Sequence, residues 1–527
     1  MNHNLPRIVI AGTQSGSGKT TLVTGLLAAL RARGLRVQSY KVGPDYIDPG
    51  FHALASGRPA HNLDTWLVPA AKLPALFLAE AGDADIAVIE GVMGLYDGGR
   101  KGVSSTAEIA KLLGAPVLLT IDCKSMGASA AAIALGFKSY DPDVNIAGVL
   151  LNRLGSPTHE AMIRAAMEAI SMPVLGAIHR DDALHLPERH LGLTPTTEVE
   201  AAETVRKMGE AVGGQVEVEK IVALAKTAHP LTDVASSGAP FPEGGGPEGR
   251  GESPARKIGL QDVSFRGCEQ ESDVVPRART GDEIRHADCS AAASDSPLAP
   301  PRLSPLWEGG RRTPPLRIAV AQDAAFSFYY ESSLSVLASL GATLVPFSPL
   351  KDATIPEHIS GLLFGGGFPE MFAADLAANK TMRRSILAAA DAGLPIYAEC
   401  GGYMYLLESL VDFDGVSHPM CGVFQGSAAM TKKLQMVGYV TAKMQHDTIL
   451  GPAGTELRGH EFHFSQELER EEPARPYTFT KLRNGATYGA GQQRQNALGS
   501  YLHIHFAGCP EAAKHFVEAC RGYQAGE

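Results

Sequence analysis

Short apolar runs alternate with stretches of helical periodicity along most of the chain. In the first 230 residues the apolar runs are RIVIAGT, LRVQSYKVG, IAVIEGVMG, APVLLTID and IAGVLLN. A strand that is covered on both faces is a continuous apolar run, and helices between such runs supply parallel crossovers. This pattern predicts an α/β domain with a parallel sheet over residues 1–230.

A second α/β pattern starts at Leu316, with the apolar runs RIAVAQD, ATLVPFSPL, ISGLLFGGG, LPIYAEC and ALGSYLHIHF. Between the two patterns, residues 231–315 are rich in Gly, Pro, Ser and charge and lack periodicity. Such composition is typical of a linker or a disordered insertion. The sequence therefore predicts a domain at 1–230, a linker at 231–315 and a second α/β domain at 316–527.

Composition narrows the classes of function. The 527 residues are 44% hydrophobic and 20% charged, which suits two or three ordinary globular domains. A net charge of −10 argues against general nucleic-acid binding, and no apolar run reaches membrane-spanning length. The seven cysteines lack C-x-x-C pairs, so neither a disulfide framework nor a structural zinc site is indicated. We expect a cytoplasmic protein without a nucleic-acid or membrane partner.

The first apolar run leads into the glycine-rich stretch AGTQSGSGKTT and then into a predicted amphipathic helix. A strand, a glycine-rich turn and a helix N-terminus in this order form the phosphate cradle of P-loop proteins. The Lys19 ammonium would reach the β- and γ-phosphates, and the Thr20 hydroxyl would bind Mg²⁺. The predicted ATP-binding residues of this loop are Thr13, Gly16, Ser17, Gly18, Lys19, Thr20 and Thr21.

Acidic residues follow the next two predicted strands. The segment KVGPDYIDPGFH carries Asp45 and Asp48, and Glu90 ends the run IAVIE. Because ligand sites of open parallel sheets lie at the carboxyl ends of the strands, these acids should converge on the phosphate loop. We therefore expect Thr20, Asp45 and Glu90 to hold Mg²⁺.

The stretch LPIYAECGGYMYLLESL predicts a strand, a sharp turn and a helix, with Cys400 at the corner. This elbow exposes a nucleophile above a helix N-terminus, where a thiolate is favoured. The backbone N–H groups of Gly366, Gly367 and Gly401 are the candidate oxyanion hole. The second domain is therefore predicted to carry a cysteine nucleophile.

The end of the chain supplies the candidate base. GSYLHIHF resembles the G-S/T-Y-x-H motif of the triad glutamine amidotransferases, and this resemblance identifies His503 as the base. Those enzymes often carry a glutamate two residues later, where this chain has His505. Either His505 orients His503, or the site works as a dyad. His460, Glu461 and His463 are interpreted as strand residues that line the domain interface or the substrate entrance, with a purely structural role as the alternative.

Four motifs carry a more specific resemblance. GTQSGSGKTT, KVGPDYIDPGFH, NLDTW and IEGVMGLYDG together resemble the synthetase domain of the cobyrinic acid a,c-diamide synthases, enzymes of corrin (vitamin B12) biosynthesis. The loop itself is similar to that of dethiobiotin synthetase. The resemblance implies an α/β protein of two domains, a P-loop ATP-binding amidoligase followed by a class I glutamine amidotransferase.

That resemblance also implies an activity, its ligands and further residues. The activity is the ATP- and glutamine-dependent amidation of the a and c acetates of cobyrinic or hydrogenobyrinic acid, through acyl phosphates and internally transferred ammonia. Mg²⁺ is the implied cofactor, and Asn152 would lie near the adenine. Candidate residues for binding the corrin polyacid are Lys41, Tyr46, Asp48, Asp97, Arg100 and Lys101.

Other interpretations stay open at this stage. Nickel-sirohydrochlorin a,c-diamide synthase shares the architecture, and cobyric acid synthase amidates other side chains but is not expected to carry KVGPDYIDPGFH. A nucleotide-dependent switch protein with an inactive amidotransferase tail is the alternative from another class. Gln14 argues against it, because the chromosome-partitioning ATPases carry an extra lysine there. The sequence leaves open the metal state of the ring, the order of amidation and the oligomeric state, with a homodimer as the working hypothesis.

Overall fold

The computed structural model describes residues 2–181, 198–232, 315–468 and 474–526. Nearly all of the segment predicted as a linker, 231–315, lies outside these residues. Among the described residues, no helix is both long and apolar enough to cross a membrane.

The N-terminal part alternates strands and helices as its pattern predicts. Its strands are β1 (Asn2–His3), β2 (Arg7–Gly12), β3 (Val37–Val42), β4 (His61–Leu63), β5 (Ile86–Glu90), β6 (Val117–Asp122), β7 (Ile146–Leu154), β8 (Val174–His179) and β9 (Leu231–Thr232). Its helices are α1 (Lys19–Ala32), α2 (Asp48–Ser56), α3 (Leu73–Ala81), α4 (Thr106–Leu112), α5 (Ser129–Tyr140), α6 (Pro157–Ala169), α7 (Glu198–Gly213) and α8 (Val218–Ala225).

Seven of these strands form one parallel sheet in the order β4-β3-β5-β2-β6-β7-β8. The central strand β2 is buried on both faces: Ile8 and Ile10 pack on one side, and Val9 and Ala11 pack on the other. This two-sided burial explains why the strands are continuous apolar runs. The carboxyl ends of β2, β3, β4 and β5 lie side by side, so the loops that follow them share one edge.

The C-terminal part is also α/β, but it contains more strands than its sequence suggests. Its strands are β10 (Leu316–Ala321), β11 (Phe326–Phe328), β12 (Ala342–Phe347), β13 (Gly361–Phe364), β14 (Gly366–Gly367), β15 (Ile396–Glu399), β16 (Ser409–Val411), β17 (Ser417–Pro419), β18 (Ser427–Met430), β19 (Met436–Met444), β20 (Glu456–His463), β21 (Ser465–Leu468), β22 (Tyr477–Lys481), β23 (Thr487–Ala490), β24 (Gln492–Arg494), β25 (Ala497–Ser500) and β26 (His503–Ile504). Its helices are α9 (Glu331–Ser339), α10 (Ala373–Ala378), α11 (Lys380–Asp391), α12 (Gly401–Leu406) and α13 (Pro510–Gly526).

Two sheets of this part position the second site. A six-stranded sheet has the order β12-β10-β13-β15-β25-β24, and it is parallel except at β24. An antiparallel sheet has the order β23-β22-β19-β20-β26. Smaller sheets complete the part.

The run ALGSYLHIHF is not one strand. It breaks after Ser500, whose hydroxyl accepts a hydrogen bond from the Leu502 N–H at 3.2 Å. The first piece, β25, pairs with β15 beside the predicted nucleophile, and the second, β26, pairs with β20 in the antiparallel sheet. The break places His503 in register with His460, where the two sheets meet.

Direct contacts join the N-terminal sheet edge to the antiparallel sheet. The Trp66 indole N–H donates to the Gly459 carbonyl at 3.0 Å, and the Tyr439 hydroxyl donates to Asp64 at 2.6 Å. At Gly508 an added Cβ would lie 1.8 Å from the Leu67 carbonyl oxygen, so only glycine allows this close approach. NLDTW, one of the four motifs that carry the family resemblance, therefore holds the two domains together.

Candidate active sites

The phosphate loop has the geometry that its sequence predicts. Gly16 and Gly18 have φ of 74° and 84°, values that favour glycine. A Cβ at Gly12 would lie 2.5 Å from Ser17 Oγ and 2.7 Å from Lys19 Nζ. The close approach that needs a glycine therefore falls at Gly12, which explains why Thr13 is tolerated where the usual signature has its first glycine.

Lys19 lies at the start of α1 and folds back over the loop. Its ammonium donates to the Met93 carbonyl at 2.6 Å and to the Gln14 carbonyl at 3.2 Å. Burial and the neighbouring Lys41 charge lower the pKa of Lys19 to about 8. The side chain is thus held where its charge is incompletely neutralised, a suitable place for phosphate.

Asn152, which was expected near the adenine, supports the phosphate loop itself. Its side-chain N–H₂ donates to the Ser17 carbonyl at 2.9 Å, and a Cβ at Gly18 would lie 2.3 Å from the same nitrogen. Asn152 therefore ties the end of β7 to the loop that precedes α1. Contact with an adenine ring stays a prediction.

A buried charge cluster lies beside Thr20. The Thr20 hydroxyl is 2.8 Å from Glu90 Oε1 and 3.2 Å from Asp48 Oδ2. The Lys41 ammonium joins the same two carboxylates, at 2.6 Å from Asp48 and 2.8 Å from Glu90. Burial opposes the ionisation of Glu90, but Lys41 and a hydrogen bond from His52 outweigh it and lower the Glu90 pKa. The cluster is therefore charged at neutral pH.

Asp45 occupies a different position from the one expected. Its Oδ1 accepts the backbone N–H groups of Ile47 at 2.8 Å and Asp48 at 3.1 Å, and its Oδ2 is 3.9 Å from the Lys41 ammonium. Asp45 thus caps the turn before α2, and Asp48, expected at the substrate, is the carboxylate beside Thr20. Lys41 is 3% exposed and ion-paired, which removes it as a free cation for the substrate.

The donor set at Thr20 suits a magnesium ion that also binds nucleotide phosphates. It consists of hard oxygens from one hydroxyl and two carboxylates. Mg²⁺ typically takes one or two carboxylates and completes its shell with waters and phosphate oxygens. Among the described residues, no group of three or more His, Cys, Asp or Glu side chains is placed to hold a metal ion.

The loop after β5 holds the remaining candidates. Asp97 accepts the Gly94 N–H at 2.9 Å, which closes the turn beside the phosphate loop. Arg100 lies in a 3-10 turn, Arg100–Gly102, and the Lys101 side chain lies outside the described part. Contact of these residues with a substrate stays a prediction.

Cys400 forms the sharp turn that its motif predicts. The residue has φ 47° and ψ −106°, a strained conformation for a side chain, between β15 and α12. A Cβ at Gly401 would lie 2.9 Å from the Gly367 N atom, and one at Gly366 would lie 2.6 Å from the His503 ring. The absence of side chains at these glycines lets the Gly367 backbone approach the turn after Cys400, and an oxyanion hole at this turn stays a prediction.

The structure brings His503 and Cys400, the predicted base and nucleophile, within hydrogen-bonding contact of each other. Burial opposes the protonation of His503, but the interactions of its ring with Cys400 and Glu399 outweigh it and raise the His503 pKa to about 10. The imidazole is therefore protonated at neutral pH, and a positive charge beside a cysteine favours the nucleophilic form of sulfur.

The third member of the constellation is Glu399, which sequence reasoning missed. Its Oε2 is 3.3 Å from His503 Nδ1, while Oε1 accepts the Tyr397 hydroxyl at 2.8 Å and the Ile504 N–H at 3.2 Å. The sequence feature that could have identified Glu399 is its position as an acidic residue inside the apolar run LPIYAEC, because a buried acid needs hydrogen-bond partners.

His505 does not orient His503. Its ring packs on Tyr330 at a centroid distance of 4.8 Å, and both of its nitrogens lack a hydrogen-bond partner among the described residues. Burial and the charge of His61 lower its pKa to about 3, so the ring is neutral.

The other residues of the RGHEFHFS segment lie on β20. The His460 ring stacks on His503 at 4.8 Å and bonds the Tyr330 hydroxyl at 2.8 Å. His463 stacks on Tyr501 at 3.8 Å. Glu461 accepts the Tyr488 hydroxyl, and burial raises the Glu461 pKa to about 7. Of the three, His460 contacts the catalytic histidine directly.

Comparison with known proteins fits this geometry. Residues 8–193 match the family model of the CobQ/CobB/MinD/ParA nucleotide binding domain, and residues 317–510 match that of the CobB/CobQ-like glutamine amidotransferase domain. The chain is 41% identical to the cobyrinate a,c-diamide synthase of Dehalococcoides mccartyi, covering 99% of this chain and 100% of that protein. It is also 41% identical to the hydrogenobyrinate a,c-diamide synthase of Streptomyces coelicolor, covering 98% of each.

A P-loop nucleotide domain joined to a cysteine glutaminase defines a glutamine-dependent amide ligase. The similarity over nearly the full length makes the assignment finer: the chain belongs to the cobyrinate and hydrogenobyrinate a,c-diamide synthase family of cobalamin biosynthesis. The predicted family and the two-domain α/β fold are thereby confirmed.

Proposed function

We propose that this enzyme converts the a and c acetate side chains of cobyrinic or hydrogenobyrinic acid to amides, with ATP and glutamine as co-substrates and ammonia passed internally. The observation that carries the proposal is the pairing of a complete Cys400–His503–Glu399 constellation with a phosphate loop in one compact unit. The names of the full-length relatives support a corrin as acceptor.

The glutaminase half begins with the thiolate. Cys400 Sγ attacks the side-chain amide carbon of glutamine, and the oxyanion is met by the N–H groups of Gly367 and Gly401. His503 donates its proton to the departing nitrogen, so that ammonia leaves and a thioester remains. Water then attacks the thioester, His503 takes up one of its protons, and the thiolate leaves; glutamate departs as the carboxylate with release of the second proton.

The synthetase half needs positioning and charge neutralisation more than covalent chemistry. Lys19 would hold the β- and γ-phosphates, and Thr20, Asp48 and Glu90 would hold Mg²⁺. When bound, the ion neutralises charge on the phosphate oxygens. An acetate oxygen attacks the γ-phosphorus and ADP leaves. Ammonia then attacks the acyl phosphate carbon, phosphate leaves and a proton is released; the cycle repeats on the second acetate.

A product-mass assay tests this proposal. We expect purified protein with Mg·ATP and glutamine to add two amide groups to cobyrinic acid or to hydrogenobyrinic acid, offered in separate reactions. The relative rates identify the natural ring. Glutaminase activity without amidation of either ring would refute the acceptor, and nickel-sirohydrochlorin would be tested next. Absence of glutaminase activity would favour a switch protein with an inactive tail.

The Glu399→Gln variant tests the third member of the constellation. Because Glu399 helps to raise the His503 pKa to about 10, the variant should lose protonated His503 at lower pH than the native enzyme. We expect the alkaline limb of glutaminase activity to move to lower pH and kcat/KM to fall roughly 10²-fold. Ammonium-dependent synthesis is the control. An unchanged alkaline limb would show that Glu399 does not act on His503.

ATP and glutamine are cytoplasmic metabolites, so we propose that the enzyme works in the cytoplasm. A homodimer remains the working hypothesis for its assembly.

A further inference from the structure

The two active sites meet at one turn of the chain, residues 45–48, between β3 and α2. At one end of this turn, Asp48 accepts a hydrogen bond from Thr20 of the phosphate loop and binds the Lys41 ammonium. Two residues earlier, Tyr46 packs on His503 with a ring-centroid distance of 5.2 Å. A single residue therefore separates a contact with the nucleotide site from a contact with the glutaminase base.

The Tyr46 ring is inserted among aromatic side chains of the C-terminal domain. It stacks on Phe328 at 4.9 Å and contacts Tyr330 at 4.7 Å, in addition to His503. His460 stacks on His503 at 4.8 Å. The catalytic imidazole is thus held by Tyr46 and His460 through its ring and by Glu399 through Nδ1, so a displacement of Tyr46 changes its support.

The turn is built to move as one unit. Asp45 Oδ1 accepts the N–H groups of both Ile47 and Asp48, which locks the backbone between Tyr46 and Asp48. Asp48 is also the first residue of α2. A shift of the Asp48 carboxylate that displaces its backbone would therefore displace the Tyr46 ring as well.

Occupation of the nucleotide site would move that carboxylate. Asp48 Oδ2 is shared by the Thr20 hydroxyl and the Lys41 ammonium. A cation that binds Thr20 together with nucleotide phosphates competes with Lys41 for the same oxygen.

We propose that Tyr46 is a positioning residue that couples the glutaminase to occupancy of the nucleotide site, through the rigid turn that ends at Asp48. This inference rests on the proposed function. It gives Tyr46 a role in the contact between the two active sites, in place of the predicted role in binding the corrin. Its physical purpose is to restrict ammonia release to enzyme that holds ATP.

The test needs no corrin. Glutamate formation and the alkylation of Cys400 by iodoacetamide are measured with and without Mg·ATP, and the modified cysteine is identified by peptide mass. In the native enzyme we expect Mg·ATP to raise both rates roughly 5-fold or more, the usual range of coupling between sites. Tyr46→Ala should remove the response of both rates, while Tyr46→Phe, which keeps the ring, should retain it.

Trp66→Ala is the matched control. Trp66 is an aromatic residue of the same interface that bonds the Gly459 carbonyl of β20, and none of its described contacts is with His503. We expect its response to Mg·ATP to stay native, which separates the coupling from a general loosening of the domains. If Tyr46→Ala does not fold, Tyr46→Leu fills the volume without a ring and should also lose the response.

Two results would overturn the coupling while leaving the proposed function intact. One is a native enzyme that hydrolyses glutamine at the same rate with and without Mg·ATP. The other is a folded Tyr46→Ala or Tyr46→Leu variant with the native response. Loss of the response in Trp66→Ala would assign the effect to the interface as a whole and would equally overturn the role of Tyr46. A native protein without glutaminase activity would instead refute the proposed function.

Discussion

Replacement of Cys400 by alanine should abolish glutamine-dependent amidation and leave ammonium-dependent amidation in place. The thiol is the attacking atom, and removal of a covalent nucleophile lowers the rate by on the order of 10⁴-fold or more. The synthetase residues Lys19, Thr20 and Glu90 belong to another sheet edge, so externally supplied ammonia should still reach the acyl phosphate. Amide product is measured by mass with glutamine or with ammonium chloride.

Cys421→Ala is the matched control for this experiment. Cys421 is a free, buried thiol of the same domain, and burial raises its pKa, so it is not a nucleophile at neutral pH. Its variant should retain glutamine-dependent synthesis. If Cys400→Ala hydrolysed glutamine at the native rate, the constellation with His503 would not be the glutaminase.

The second large effect is expected from Asp48→Asn. The change removes a negative charge beside Thr20 and leaves Lys41 paired with Glu90 at 2.8 Å and, at the longer distance of 3.9 Å, with Asp45. We expect the apparent affinity for Mg²⁺ to fall roughly 10- to 100-fold. The measurement is a Mg²⁺ titration of ammonium-dependent synthesis, together with equilibrium binding of Mg·ADP.

Asp45→Asn separates the two acidic residues of the motif. Asp45 Oδ1 caps the turn before α2, and an asparagine oxygen can accept the same backbone N–H groups. This variant should therefore keep an Mg²⁺ affinity within a few-fold of native. A larger loss of Mg²⁺ affinity in Asp45→Asn than in Asp48→Asn would show that Asp45, and not Asp48, is the metal ligand.

Local pattern was a good guide to the N-terminal site. Strands buried on both faces must be apolar throughout, and a phosphate loop is contiguous in sequence, so β2, the loop and α1 could be predicted together. Choosing between Asp45 and Asp48 was beyond the sequence. Both follow the same strand, and only the direction of the turn decides which carboxylate reaches Thr20.

In the glutaminase site, too, some features could be predicted from the sequence and others could not. The elbow at Cys400 is a local feature that can be predicted from the glycines that follow it in sequence. The resemblance of GSYLHIHF to the amidotransferase motif was enough to locate His503. Glu399 was missed because it reaches His503 only after β26 leaves the sheet that holds β25. The sequence left open whether His505 orients His503 or the site works as a dyad. His505 lies two residues away in sequence, yet in the structure its ring packs on Tyr330.

The sequence by itself determined the two α/β domains, the phosphate loop, the sharp turn at Cys400 and the family, because each depends on residues that are near one another along the chain. Tertiary structure alone decided that NLDTW and the turn around Tyr46 join the domains, that Asp48 lies beside Thr20, and that Glu399 supports His503. These contacts join residues far apart in sequence, such as Tyr46 with His503, and no local periodicity or propensity encodes them.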